Sequence, residues 1–485
     1  MLKYFSAGTV VVFFLMICLS FNNGGTTNKA IKPQAEVNQD SVSRTNKVAN
    51  LYMANCSGCH GEQMNAFVDR RWKHGSTQKD LIKAIKHGYP DEGMPAFDAT
   101  FSDEEITDLA DYILTGIKNV NRYMIEDKPE SNTFKTEKLT IRLDAVAEGM
   151  DVPWGIAFLP GDELLVTDRN GKLYRVKSDK SKSEISGVPE VVAQGQGGLM
   201  DVVTDPGFSS NKLIYLSYSK PKSEGGNILA TTAIMRAKLS GDKLTDQKDI
   251  FIAQPYSRTR HHYGSRLAFD DKGHLFFSVG ERGNEKQNPQ QIKGNDLGKI
   301  HRIKTDGSVV ADNPFLKLAG VQPTIYSYGH RNPQGLAFNP RTKELWSNEH
   351  GPRGGDELNI IKPGRNYGWP VITYGINYNG KTISDISSKQ GMEQPEHYWL
   401  PSIGTSGLAF VSGSRYPGWE NNILSGALRF KYLNRSEMKG NKVIHEEILF
   451  KNIGRVRDIR MGPDGYLYMA VESPGTVYKL IPLSK

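Results

Sequence analysis

Gly335-Leu336-Ala337-Phe338, followed by a turn and then Leu345-Trp346, is one copy of the phrase that decides the fold. Its form is a small residue, apolar residues, a turn, and a second apolar strand. The phrase occurs as Gly155 to Phe158 before Leu164 to Val166, and as Met200 to Val203 before Leu213 to Leu216. It returns as Arg266 to Phe269 before Leu275 to Phe277, and as Gly407 to Phe410 before Ile423 and Leu424. The last copy is Arg457 to Arg460 before Leu467 to Met469. The turn pairs Asn170-Gly171, Lys272-Gly273 and Asp464-Gly465 stand where hairpins need them. Six copies over residues 136–485 give roughly 58 residues per unit, near the length of a four-stranded blade with elaborated loops. This predicts an all-β six-bladed β-propeller, since a sandwich wants fewer and less regular units. Loops from every blade then gather at the central axis, the natural place for a polar ligand.

Upstream the pattern is helical and the chemistry different. Cys56-Ser57-Gly58-Cys59-His60 is the attachment signature of a c-type haem, with two thiols for the porphyrin vinyl groups and His60 as axial ligand. The chain has 3 cysteines, two of them here and the third, Cys18, in the N-terminal apolar run. A thioredoxin-like pair would want a βαβ setting, and a zinc site a second ligand pair; neither is present. Gly93-Met94-Pro95-Ala96-Phe97 is a loop by its Gly and Pro, and it presents Met94 as the sixth ligand, with Met64, His74 and His87 as rivals. Helices are expected over Ser43 to Ala54, over Thr77 to His87, and after the capping box Ser102-Asp103-Glu104-Glu105, where Ile106, Leu109, Ala110 and Ile113 form an apolar stripe. Three short helices with these two motifs resemble a class I cytochrome c over residues 43–118. The resemblance implies thioether links at Cys56 and Cys59 and iron ligation by His60 and Met94.

Lys3, an apolar stretch from Val10 to Leu19 and a polar Asn22-Asn23-Gly24-Gly25 have the form of a secretory signal. Residues 1–21 are therefore expected to be a signal peptide or a retained membrane anchor, and the protein periplasmic or exported. Covalent haem attachment outside the bacterial cytoplasm agrees. Residues 22–42 and 119–135 read as linkers, the second charged and carrying Pro129. The net charge is +8, but no basic block is interleaved with aromatics, so no nucleic-acid partner is expected.

Four loop segments of the repeat region are rich in polar groups. They are Gly195-Gln196-Gly197-Gly198, Arg260-His261-His262-Tyr263-Gly264-Ser265-Arg266, the run from Gly329 to Gly335 with Asn348 to Glu357, and Gly454-Arg455-Val456-Arg457-Asp458. Adjacent histidines do not share a face as a metal pair would, so one functional ring is expected, and His is the commonest general base near neutral pH. Arg455 and Arg457, at i and i+2 on a strand, point the same way and suit a polycarboxylate. The Gly/Pro kinks free carbonyls beside Asp and Glu, a calcium-like ligand set.

In this order, and with Asn366-Tyr367-Gly368-Trp369-Pro370, these segments resemble the soluble PQQ-dependent glucose/aldose sugar dehydrogenases, six-bladed propellers. The resemblance covers nearly all of 136–485. It implies His262 as proton-abstracting base, and Gln196, Arg331, Asn332, Ser402, Arg455 and Arg457 as residues holding PQQ. It also implies carbonyls of Gly351 and Pro352 on the calcium at PQQ, and Glu357 and Tyr367 at a second, structural calcium. Two positions depart from the family: Arg429 stands where Lys is usual, keeping the charge in a different geometry, and His261 stands where some members have Asp, which leaves the orienting partner of His262 open. The second calcium site lacks matching ligands between Thr373 and Asn377. The expected activity is oxidation of an aldose to its lactone, with electrons passing from PQQ to the fused haem and on to a downstream acceptor. The alternatives are the same architecture acting on another sugar or an aldehyde, and a non-catalytic propeller with a relay haem.

Overall fold

The computed structural model describes residues 39–483, except 57–59, 61–63, 65–66, 68–71, 73, 91–93, 119–128, 284–290, 292 and 379–380. The expected signal or anchor, residues 1–21, lies outside the described residues, as does Cys59. Two compact units are distinguished, Met1–Lys47 and Val48–Lys485. Among the described residues no helix is long and apolar enough to cross a membrane.

The N-terminal part is all-α among its described residues, with helices α1 (Gln39–Asn55), α2 (Gln78–His87) and α3 (Asp103–Lys118). Helix α1 starts four residues before the expected domain boundary, inside the stretch read as a tether. Capping boxes start the other two. The Thr77 hydroxyl accepts from Asp80 N while the Asp80 carboxylate accepts from Thr77 N, and Ser102 and Glu105 do the same for α3. The stripe Ile106, Leu109, Ala110 and Ile113 is buried, against Leu81 and Ile85 of α2 and Val48 and Tyr52 of α1.

From Thr133 onward six antiparallel sheets follow in chain order. Five are four-stranded, and each of the six phrases read from the sequence supplies the first strand pair of one sheet. The first strands are Pro153–Leu159, Leu199–Thr204, Leu267–Phe269, Pro333–Phe338, Thr405–Phe410 and Arg455–Met461. Among the described residues six apolar clusters lie one at each junction between neighbouring blades, the sixth joining the last blade to the first. The last sheet closes the ring: Thr140–Ala147, from the start of the domain, pairs with Thr476–Leu483 at its end. Thr133–Lys135 pairs in turn with Thr140–Arg142 and makes this sheet five-stranded. These three residues were expected in the linker; Phe134, edge-on to Phe450 at 5.2 Å, gives the short strand its apolar anchor.

Where the strands meet at the axis, the head of the phrase is not always small. The residues there are Gly155, Asp201, Arg266, Gly335, Gly407 and Asp458 in successive blades, the first residue of the phrase in four copies and the second in the copies that open at Met200 and Arg457. Buried Arg266 meets Asp458 at 2.9 Å and Asp201 at 3.4 Å, and Arg460 meets both aspartates at 2.8 and 2.9 Å. The same carboxylates accept from backbone N–H groups of the next blade, Asp201 from Leu267 N and Asp458 from Ile156 N. The glycines leave room for this: a Cβ at Gly155 would lie 2.6 Å from Asp201 Oδ1, and one at Gly407 2.4 Å from Asp458 Oδ1. Paired and hydrogen-bonded, these charges can stay buried, and they floor the axis beneath the site.

Candidate active site

Above that floor, at the entry ends of the inner strands, lies a cavity of about 230 Å³. Trp154, Gln196, Tyr263, Gln334, Arg455 and Arg457 line it, with Arg169 and His350. Arg455 and Arg457 do face one way: both grip Glu472, at 2.8 Å to one carboxylate oxygen and 2.6 Å to the other. Burial would raise the Glu472 pKa, but the two guanidinium groups outweigh it and hold the carboxyl at about 2. Arg169, which the sequence reading did not single out, donates to Gly195 O at 2.6 Å. Three lining arginines against one carboxylate leave surplus positive charge, which fits a polyanionic ligand such as PQQ.

The other expected cofactor residues sit around this cavity rather than all on its wall. The Asn332 carbonyl accepts from Gly264 N at 3.1 Å, and its amide meets His350 Nδ1 at 3.4 Å. His350 is kept neutral, its pKa lowered to about 3 by burial and then by Arg331, His262 and Arg457. Arg331 lies over the Trp369 ring at 5.2 Å, and its buried Nε has no hydrogen-bond partner among the described residues, a donor available to a ligand. Arg429 donates to Ser402 O at 3.3 Å, and its neighbour Leu428 reaches the wall. Ser402 is buried beside Asp356.

His262 occupies a strained loop: His262, Gly264 and Ser265 all have positive φ, of 55°, 66° and 84°. Its backbone N–H donates to Gln196 Oε1 at 2.8 Å. Its Nδ1 lies 2.5 Å from Oε1 of Glu281, a carboxylate buried at the end of the strand Leu275–Val279. That bond assigns the proton to Nδ1 and leaves the Nε2 lone pair for another proton. Burial, then the charges of Arg331, His261 and Arg282, push the His262 pKa well below 6.5, so the ring is neutral. His261 stands edge-on to His262 at 4.7 Å. Glu281 thus answers the question of the orienting partner. The sequence signal was Gly280-Glu281-Arg282-Gly283, an acid between glycines directly after an apolar strand.

A second, smaller cavity is lined by Arg331, Glu349, His350, Gly351, Glu357 and Tyr367, among others. The structure thus brings Gly351, Glu357 and Tyr367 together, with Pro352 adjoining in sequence. Burial and then the charge of Glu349 raise the Glu357 pKa to about 8, the mark of two buried carboxylates that a cation would relieve. Among the described residues no group of three or more His, Cys, Asp or Glu side chains is placed to hold a metal. Calcium would therefore need backbone carbonyls as well. The Tyr367 hydroxyl is already engaged, donating to Ile360 O at 2.5 Å and accepting from Lys362 N at 2.8 Å.

In the helical part, Cys56 and Met94 pack on one apolar cluster, and His60 stacks at 4.4 Å on Phe67 of that cluster. Its apolar, aromatic walls suit a haem. The rivals of Met94 are placed otherwise. Met64 is buried with its sulfur against Gly116, His87 is exposed, and His74 stacks on Tyr89 at 3.6 Å.

The family described as Glucose / Sorbosone dehydrogenase matches residues 150–479, and that described as Cytochrome C oxidase, cbb3-type, subunit III matches residues 43–113. The chain is 42% identical over 355 residues to the aldose sugar dehydrogenase YliI of Escherichia coli, covering 71% of this chain and 93% of that one. It is 27% identical over 448 residues to quinoprotein glucose dehydrogenase B of Acinetobacter calcoaceticus, covering 76% and 93%. Among solved structures, the PQQ-bound aldose sugar dehydrogenase of Streptomyces coelicolor is 29% identical with a TM-score of 0.59, over 72% of this chain and all of that one.

Proposed function

Because the chain belongs to the glucose/sorbosone dehydrogenase family and carries a cytochrome c domain at its N-terminus, we propose that it oxidises an aldose to its lactone with PQQ and calcium and passes the electrons to its own haem. The observation that carries this reading is the neutral, Glu281-bound His262 beside a cavity with surplus arginine charge. When bound, PQQ supplies the two-electron acceptor and calcium the Lewis acid that polarises it. His262 takes the anomeric hydroxyl proton at Nε2. Glu281 holds Nδ1–H and stabilises the positive charge that then develops on the ring. Arg455, Arg457, Arg331 and Arg429 would hold the PQQ carboxylates, and the carbonyls of Gly351 and Pro352 would face the calcium. A second calcium would sit at Glu357 and Tyr367.

With PQQ as the two-electron acceptor of the sugar's hydride, the haem would take the electrons singly and hand them to a downstream acceptor. The N-terminal apolar run and the haem-attachment motif at Cys56 to His60 support an exported protein. The test is titration of the purified chain with PQQ and calcium, followed by aldoses, with the haem spectrum recorded. Bound PQQ, reduced by aldoses and followed by haem reduction, is the expected result. Reduction by aldehydes alone would reassign the substrate, and failure to bind PQQ would make the propeller a binding module.

A further inference from the structure

Arg282 follows Glu281 in the chain, and Tyr263 follows His262. The two pairs meet rung against rung: His262 bonds Glu281, and the Arg282 guanidinium lies over the Tyr263 ring 3.4 Å from its centroid. Both His262 and Arg282 hold a left-handed backbone, at φ 55° and 68°. Arg282 is 1% exposed. Its Nη2 donates to Ala230 O and Thr259 O, whereas Nε and Nη1, the Tyr263 side chain apart, have no hydrogen-bond partner among the described residues. Burying a guanidinium with two underused nitrogens costs stability, and the aromatic face offsets only part of that cost. A strained backbone and an underpaired charge, kept together one residue from Glu281, the partner of the proposed base, point to a role in positioning.

We infer that Arg282 is a positioning residue for His262: stacked on Tyr263, it fixes the His262–Glu281 pair in register and sets a permanent positive charge beside the imidazole. The charged and titratable groups facing His262 are Glu281 and Arg282 from the segment after Leu275–Val279, His261 from its own loop, and Arg331 and His350 from the next blade. Of these, Arg331 accepts from Glu281 N through its carbonyl, whereas Arg282 adjoins Glu281 in the chain and stacks on Tyr263, the residue after His262. Its charge opposes protonation of His262 in the same sense as burial does. The base then stays free when sugar arrives.

This rests on the reading of His262 as the base, yet it can be tested without turnover. The full chain, labelled at histidine, is titrated by NMR without added cofactor, with the His262 signal assigned through His262→Gln. Arg282→Met should move the His262 titration to higher pH, and Arg282→Lys should return it toward the wild-type position. In the PQQ-loaded protein, Arg282→Met should lower kcat by about 10–100-fold with PQQ affinity kept, as expected for a misplaced base. A folded Arg282→Met or Arg282→Gln with an unmoved His262 titration overturns the inference. So does misfolding of both neutral variants while Arg282→Lys folds, which would assign the residue to the fold alone. A wild type whose bound PQQ no sugar reduces would instead overturn the proposed function and leave the titration result standing.

Discussion

His262 can take a proton only while its ring is neutral, and the structure arranges this by burial and by the arginine charges around it. A base whose pKa is lowered stays active further into acid. The acid limb of kcat/KM should therefore lie below pH 6.5, and a limb at or above that value would show that the site does not hold the ring neutral. His262→Gln should lower turnover by about 10²–10⁴-fold while PQQ still binds, and His261→Gln should do much less. Stopped-flow reduction of bound PQQ by an aldose reads both. Glu472 makes a separate prediction. Its pKa falls from 4.5 to about 2 on folding, so it contributes stability above pH 4.5 that is lost as pH drops toward 2. Glu472→Gln should flatten the pH dependence of thermal stability across that window. Much of this was legible in the sequence, because His262, Arg455 and Arg457 lie in loops whose residue types announce their chemistry. Glu281 and Arg169 were not, since each reaches the site from the end of a second strand, brought there by strand pairing within the blade for Glu281 and by packing on the next blade for Arg169.

At the scale of the blade, the repeated phrase located every inner strand pair, because an apolar strand, a tight turn and a second strand leave a local imprint. What the phrase did not show was its own head. Asp201, Arg266 and Asp458 look like surface charges in a linear reading, and only radial closure puts them on one axis. Closure itself was also invisible, since Thr140–Ala147 finds its partner more than 300 residues later. Tyr416 ties this joint: its hydroxyl donates to Leu480 O at 2.6 Å and accepts from Leu467 N at 2.8 Å, fully buried. Tyr416→Phe would leave two backbone groups of the closing blade unpaired, at a cost of about 1–3 kcal/mol for each. Calorimetry should show the propeller transition lowered with the haem spectrum unchanged. An unshifted transition would mean that strand pairing alone holds the ring shut.

For the molecule as a whole, the fusion matters more than either part. A sugar dehydrogenase gives up electrons in pairs, whereas a c-type haem accepts one at a time, so on the proposed route the haem would be met twice for each sugar oxidised. Joining the two parts in one chain turns that meeting into an intramolecular event, with an effective haem concentration in the mM range for a short linker. In a solution of about 1 μM protein the tethered haem then outcompetes the haems of other molecules by about a thousandfold. Haem reduction after mixing PQQ-loaded protein with an aldose should accordingly be first order, with a rate constant that does not change on tenfold dilution. The control uses a Cys56→Ala/Cys59→Ala chain, which retains the propeller and cannot attach haem, mixed with His262→Gln protein that keeps its haem and has lost the base. Reduction in that mixture has to cross between molecules, so it should be slower and proportional to concentration. If wild type and mixture reduce haem at the same concentration-dependent rate, the N-terminal haem is an acceptor for electrons from any copy of the protein, and the fusion serves something other than electron transfer within the chain.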